Sequence, residues 1–139
     1  MNYTGFTILV VDDDQDDVEI FCEAIQSISS SINCLMTYTG KAALSLLGQL
    51  KELPKIIFMD CNMPSMDGGT CLSLIRKDER LKDIPVVMYS TSFPHAESEK
   101  FKQMGAYVLK KEVEFKVIVQ KIRSMIELIY PDLKNQSQK

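Results

Sequence analysis

Residues 55–69 read KIIFMDCNMPSMDGG, and this stretch decides the fold of the chain. Its apolar run, residues 56–59, is short and uninterrupted, which is typical of a strand buried on both faces in the middle of a parallel sheet. The run ends at Asp60, and the residues after it are those of loops and turns. Open α/β sheets carry their functional groups at the carboxyl ends of such strands, so we predict that Asp60 lies at a functional site.

The bulk composition indicates one ordinary globular domain. The chain has 139 residues, of which 45% are hydrophobic and 25% charged, enough for one core. The formal net charge of −3 argues against a dedicated nucleic-acid surface, so we expect no direct DNA binding. No apolar run is long enough to span a membrane and no signal peptide is apparent, so we expect a cytoplasmic protein without membrane contact.

The cysteine pattern argues against zinc. Cys22, Cys34, Cys61 and Cys71 form no CxxC pair, and His95 is the only histidine. We therefore expect four free thiols in a reducing compartment.

Five apolar strands alternate with five helical segments. The strands are predicted at residues 7–11, 33–38, 56–59, 86–89 and 107–109. This alternation predicts a parallel sheet with helices on both faces. The last helical stripe ends before Pro131, so we predict one domain over residues 1–130 and a polar tail, residues 131–139, that frays.

Chemically active residues follow four of the five strands: Asp12 and Asp13, Asp60, Ser90, and Lys110. The carboxyl ends of parallel strands share one edge of the sheet, so these side chains are expected to converge. Three carboxylates that lie close together repel one another unless a cation intervenes. Because the ligands are oxygen atoms, with no histidine or thiolate pair, Mg²⁺ is the expected cation and Mn²⁺ a possible substitute.

The same set favours phosphoryl transfer. Lys110 would offer a positive charge to a phosphate or to Asp60, and the Ser90 hydroxyl can donate to a phosphoryl oxygen. Asp60 would be the nucleophile. Each residue also has an ordinary explanation, as a capping acid, a loop hydroxyl or a surface lysine, but four such coincidences at strand ends are a weaker explanation.

The motifs ILVVDDD, FMDCNMPSMDGG, PVVMYSTS and AYVLKK together cover essentially the whole chain. The combination resembles the receiver domain of response regulators in bacterial two-component signalling, and the stand-alone chemotaxis regulators in particular. The resemblance implies an α/β fold of the flavodoxin-like kind, a five-stranded parallel sheet that is doubly wound in the order 2-1-3-4-5.

The resemblance also implies a role for each site residue. Asp60 corresponds to the phosphoacceptor, and Asp12 and Asp13 to the acidic pair, with Asp13 the more direct metal ligand. Asn62 would contribute its backbone carbonyl to the metal. Lys110 corresponds to the lysine of the family.

Two further pairs of residues have implied roles. Ser90 and Tyr107 correspond to the hydroxyl and the aromatic residue that switch on phosphorylation. Asn62 and Ser92 flank the acceptor and are expected to tune the lifetime of the phosphoryl group.

The chain departs from the family pattern after Lys110. The family usually has proline at the next position, and often a cis bond before it, whereas this chain has Lys111. A cis bond before a residue other than proline costs about 2.5–4 kcal/mol. We therefore predict a trans bond, with the loop displaced so that the Lys110 ammonium stays near Asp60.

The leading functional interpretation is a single-domain response regulator. It would take its phosphoryl group from a sensor histidine kinase or a histidine phosphotransfer protein. It would then signal to an unknown output protein through its fourth helix, fifth strand and fifth helix. On this interpretation it is not an enzyme with a separate substrate, because it only catalyses its own phosphorylation and dephosphorylation.

Three other classes fit less well. An aspartyl phosphohydrolase commonly has a second acid two residues after the nucleophile, where this chain has Asn62. A flavin or nucleotide binder needs a phosphate loop rich in glycine or hydroxyls after the first strand, whereas residues 12–17 read DDDQDD. The complete set of acids, hydroxyl and lysine argues against a pseudo-receiver that only binds partners.

Overall fold

The computed structural model of the protein describes residues 3–133. Strands and helices alternate as predicted: β1 Thr7–Val11, α1 Gln15–Ile28, β2 Asn33–Thr37, α2 Gly40–Gln49, β3 Ile56–Asp60, α3 Gly68–Lys77, β4 Val86–Ser90, α4 His95–Gln103, β5 Tyr107–Lys110 and α5 Phe115–Ile129. All strand pairs are parallel, and the sheet has the order β2-β1-β3-β4-β5. The predicted fold class and strand order are therefore confirmed.

The two faces of the sheet carry two separate cores. Val10 and Phe58 point to the face covered by α1 and α5, whereas Val11 and Met59 point to the face covered by α2, α3 and α4. Successive side chains of a strand point to opposite faces, so each strand contributes to both cores. β3 and β4 are buried along their whole length, which explains why their sequences are nearly continuous apolar runs.

Three helices begin with a side-chain cap directly after a strand-end loop. Asp14 accepts a hydrogen bond from the backbone N of Asp17 at the start of α1, and Asp67 accepts one from Thr70 at the start of α3. Thr39 caps α2 in the same way. These caps satisfy backbone donors that the first turn of a helix leaves free. They also fix where the loops after β1 and β3 end: Asp12 and Asp13 lie in the first of these loops, and Asp60 is the residue just before the second.

The prediction of four free thiols is wrong for one pair. Cys22 of α1 and Cys34 of β2 form a disulfide, with their Cα atoms 6.2 Å apart. The other two cysteines, Cys61 and Cys71, are free and buried. The pairing was missed because the two residues share no sequence motif. They meet only because α1 packs on the edge of the sheet where β2 lies.

The boundaries of the domain remain a prediction. Residues 131–133 form a helical turn after α5, and the rest of the predicted tail lies outside the described residues. Within residues 3–133, no helix has both the length and the hydrophobicity needed to cross a membrane.

Candidate functional site

Three carboxylates meet at the carboxyl edge of the sheet. One oxygen each from Asp12, Asp13 and Asp60 lies within 4.8 Å of the others, and we call these three residues the acidic cluster. β1 and β3 are hydrogen-bonded neighbours, and the residues just before Asp12 and Asp60 are paired in register. Asp12 and Asp60 are buried, whereas Asp13 is exposed. The predicted convergence of the acids is confirmed.

Burial changes the acidity of Asp60. Only 3% of this residue is exposed. Its desolvation, followed by the negative charge of Asp12, raises the pKa of Asp60 to about 6. Two groups lower the pKa of Asp60: the ammonium of Lys111, and the backbone N of Asn62, which donates to Asp60 Oδ1 at 3.4 Å.

The ammonium at this site belongs to Lys111, so the prediction that Lys110 approaches Asp60 is wrong. The Lys111 Nζ atom lies 3.2 Å from Asp12 Oδ2, 3.3 Å from Asp60 Oδ1 and 3.5 Å from Asp17 Oδ2. Burial lowers the pKa of Lys111, but the attraction of Asp12 and Asp60 outweighs this effect and raises it. Lys110 is exposed and forms no ion pair with any residue of the described part of the chain.

The alternation of side chains along β5 explains why Lys111, and not Lys110, points toward the acidic cluster. Leu109 packs on the α1 and α5 face of the sheet, whereas Val108 packs on the opposite face. Side chains two residues apart point to the same face of a sheet, so Lys111 shares the face of Leu109 and Lys110 shares the face of Val108. Val10 and Phe58 point to the α1 and α5 face. Asp12 and Asp60 come two positions after them and therefore lie on the same face as Lys111.

The predicted trans bond between Lys110 and Lys111 is confirmed, because the described residues contain no cis peptide bond. The expected displacement of the loop to retain Lys110 does not occur. Instead, one further backbone hydrogen bond joins the chain to β4 just after β5: the backbone N of Lys111 donates to the carbonyl of Ser90 at 2.8 Å.

Ser90, Asn62 and Ser92 form a small hydrogen-bonded group beside Asp60. Ser90 is 1% exposed. Its Oγ accepts from Asn62 Nδ2 at 3.3 Å and from the backbone N of Ser92 at 3.4 Å. The structure therefore brings together three of the residues selected from the sequence. Their roles in switching and in phosphoryl lifetime remain predictions.

Tyr107 is not brought to this group. It pairs with Val87, three register positions before the pair formed by Ser90 and Lys110. Three positions along a strand separate Cα atoms by about 10 Å. Tyr107 packs partly buried against the core on the α1 and α5 face. Its switching role remains a prediction.

Two neighbours of the acidic cluster were missed in the sequence. Asp17 reaches Lys111 from the first turn of α1. Tyr89, which is 2% exposed, donates its phenolic hydrogen to Asp12 Oδ2 at 2.8 Å. Burial and the charge of Asp12 raise the pKa of the Tyr89 phenol well above its usual range. The available signal was the position of a tyrosine next to Ser90, at the end of an otherwise aliphatic strand.

Comparison with known proteins supplies the family. The family described as the response regulator receiver domain matches residues 8–123. The chain belongs to this family. The fold, the acidic cluster and the buried Asp60 thus occur in a receiver domain.

Individual relatives of this receiver domain share about a third of their residues with it over the matched part. It is 34% identical over 91 residues to the probable methanogenesis regulatory protein FilR2 of Methanothrix harundinacea, a match over 63% of this chain and 59% of the relative. It is 32% identical over 90 residues to the response regulator Rcp1 of Synechocystis, over 61% of each chain. The chain thus spans about three fifths of the length of each of these two curated relatives.

A solved structure supports the same fold. The phosphorylated cyanobacterial phytochrome response regulator RcpA superposes with a TM-score of 0.79 at 25% identity, over 88% of this chain and 91% of the other.

The acidic cluster of this receiver domain fits a hard divalent cation. Its donors are three carboxylates that lie close enough to share an ion, and oxygen ligands suit Mg²⁺ and Mn²⁺. The nearby ammonium of Lys111 offsets only part of their negative charge. Asp12, Asp13 and Asp60 would hold the ion, and when bound it would neutralise the remaining charge and attract phosphoryl oxygens.

Gly68 holds the loop after β3 against Asp60. Its backbone N donates to the carbonyl of Cys61 at 3.0 Å. A Cβ atom at this position would collide with the backbone oxygen of Asp60. It would also lie 2.8 Å from the Met88 Cε atom and 3.0 Å from Cys61 Cα. Only glycine therefore lets α3 begin this close to the end of β3.

We expect Gly68→Ala to lower the free energy of unfolding by about 1–3 kcal/mol, as overpacking does in other cores. Gly69→Ala is the matched control, since its Cβ would come no closer than 3.3 Å to a ring atom of Phe101. Urea unfolding of both variants measures the difference. Equal stability of the two variants would contradict the close approach at Gly68.

Proposed function

We propose that this receiver domain accepts a phosphoryl group on Asp60 in a reaction that requires Mg²⁺, with Mn²⁺ able to substitute. One observation carries the proposal. The buried Asp60 carboxylate lies inside a cluster of three acids, and the Lys111 ammonium is 3.3 Å from its Oδ1 atom. A carboxylate repels an anionic phosphoryl group. The Lys111 ammonium and a cation bound by the three acids would offset this repulsion, so that Asp60 can attack the phosphorus atom.

The chemistry at Asp60 is a displacement at phosphorus. Oδ1 accepts from Lys111 and from the backbone N of Asn62, and no described residue donates a hydrogen bond to Oδ2. Oδ2 is therefore the oxygen suited to attack. The O–P bond of an acyl phosphate forms as the P–N bond of a phosphohistidine breaks, and the leaving imidazole takes up a proton. The role of Lys111 is to hold Oδ1 and to balance charge.

Ser90 supplies the switch in this proposal. Its Oγ accepts two hydrogen bonds, and no residue within 3–133 accepts its own hydrogen, which is therefore available to a phosphoryl oxygen. A phosphoryl group adds about −1.5 to −2 charge and strong acceptors. Movement of Ser90 toward the phosphoryl group would shift β4 and its neighbour β5. This shift would alter the surface formed by α4, β5 and α5.

The proposed partners follow from the same chemistry. The phosphoryl donor is a sensor histidine kinase or a histidine phosphotransfer protein, and an output protein binds the surface of α4, β5 and α5. β5 is an edge strand and its first three residues are only partly buried, which supports protein contact there. The similar RcpA structure is that of a phosphorylated response regulator, which supports phosphorylation here.

The proposed domain is not an enzyme with a separate substrate. It lacks a second carboxyl group two residues after Asp60, where Asn62 stands, so no general acid is available at the position used by aspartyl phosphohydrolases. The only reactions it catalyses are its own phosphorylation and hydrolysis.

The test is incubation with acetyl phosphate, read by intact mass. With Mg²⁺ the protein is expected to gain one phosphoryl group, and with excess chelator none. Asp60→Asn is expected to remain unlabelled in both conditions. Equal labelling of Asp60→Asn would remove Asp60 from its role, and equal labelling in chelator would remove the metal.

A further inference from the structure

A buried tyrosine lies beneath the acidic cluster, and the proposed phosphorylation of Asp60 does not by itself require it. Tyr89 is the fourth residue of β4 and is paired in register with Asp60. Its hydroxyl donates to Asp12 Oδ2 at 2.8 Å. The contact is fully buried, since Asp12 is 0% and Tyr89 2% exposed.

The phenol is held in place by its ring. The Tyr89 ring stacks on Phe21 of α1, with centroids 5.2 Å apart and planes 20° from parallel. Lys111 Nζ lies 5.0 Å from the Tyr89 ring centroid. A ring packed between a helix and an ammonium, on an interior strand of the sheet, has little freedom to move its hydroxyl away from Asp12.

Asp12 is thereby fixed at both of its oxygens. Oδ1 accepts from the backbone N of Asp14 at 3.0 Å. Oδ2 accepts from the Tyr89 hydroxyl and from Lys111 Nζ, the latter at 3.2 Å. Lys111 also contacts Asp60 and Asp17, so it is shared among three acids. Tyr89 is the one side-chain donor among the described residues that is committed to Asp12 alone.

We propose that Tyr89 is a positioning residue that sets the divalent-cation affinity of the acidic cluster by fixing the Asp12 carboxylate. The inference rests on the proposed function, because it requires the cluster to bind Mg²⁺. Hydrogen-bond partners behind metal ligands orient those ligands, and their loss commonly weakens metal binding. Here the partner lies on the strand that also carries Ser90.

The test uses Tyr89→Phe, which removes only the hydroxyl and retains the stacked ring. We expect the Mg²⁺ dissociation constant, measured by titration calorimetry with MgCl₂, to rise about tenfold. At saturating Mg²⁺ the variant is expected to recover the labelling rate of the parent with acetyl phosphate, because Tyr89 does not touch the reacting atoms. A defect in folding alone would not give this pattern.

Tyr130→Phe is the matched control. Its hydroxyl donates to the backbone carbonyl of Lys55, so its loss should leave the Mg²⁺ affinity unchanged. If the parent binds Mg²⁺ and Tyr89→Phe binds it equally well, the inference about Tyr89 is overturned and the proposed function stands. If the parent binds no Mg²⁺, both are overturned.

Discussion

Replacing Lys111 with methionine is expected to slow the phosphorylation of Asp60 by about a hundredfold, the typical cost of removing one preorganised electrostatic group from a reacting centre. Lys111 contacts both buried acids of the cluster, at 3.2 Å and 3.3 Å. Methionine retains most of the apolar stem of the side chain but not its charge. The rate of labelling by acetyl phosphate at saturating Mg²⁺, followed by intact mass, measures the effect.

Lys110→Met is the matched control and is expected to be phosphorylated at the rate of the parent. Lys110 is exposed and has no ion pair with the residues that the structure describes. Urea unfolding of both variants separates a catalytic loss from a loss of stability. A slow Lys110→Met and a normal Lys111→Met would show that the first lysine, not the second, serves the site.

The acidic cluster should make the fold more stable when Mg²⁺ is present. A ligand that binds only the folded state at about 100 times its dissociation constant adds about 2.7 kcal/mol to the free energy of unfolding. We expect Asp13→Asn to lose at least about 1.3 kcal/mol of this increment, the loss that a tenfold weaker affinity gives at the same Mg²⁺ concentration. Urea unfolding with and without Mg²⁺ measures it.

Asp13 suits this test because it is exposed. Its replacement removes a ligand without leaving a buried partner unpaired, so the stability in chelator should not fall. Asp16→Asn is the control, since Asp16 is also an exposed acid, lies in the first turn of α1 and is not part of the cluster. An equal Mg²⁺ increment in all three proteins would contradict the assignment of Asp13 as a ligand.

The architecture could be predicted because its signals are local. The uninterrupted run of β3, the capping acids and the amphipathic stripe of α5 each specify one element within a few residues. The alternation of elements then leaves few topologies for a parallel sheet. Asp12, Asp13 and Asp60 were predictable for the same reason, since each is the first or second polar residue after a short apolar run.

The lysine could not be assigned from motif position alone. The resemblance to the family points to Lys110, three residues after Tyr107. The pleat of β5 instead directs Lys111 toward the acidic cluster, because Leu109 faces the α1 and α5 core and Lys111 lies on the same face as Leu109. The alternation was present in the sequence, but which face β5 presents depends on its packing against β4, which is a tertiary contact.

Long-range contacts account for the remaining misses. Cys22 and Cys34 are joined across α1 and β2. Tyr89 and Asp12 come from β4 and the loop after β1, strands separated in the sheet by β3. No spacing rule links such residues, because their proximity follows from strand order and from side-chain length.

The most direct test of the central claim is to locate the phosphoryl group. Protein labelled with acetyl phosphate and Mg²⁺ would be reduced with borohydride, which converts an aspartyl phosphate to homoserine, and then mapped by peptide mass spectrometry. We predict homoserine at position 60 alone, and none in a sample prepared with excess chelator. Homoserine at position 12 or 13, or labelling that leaves position 60 intact, would contradict it.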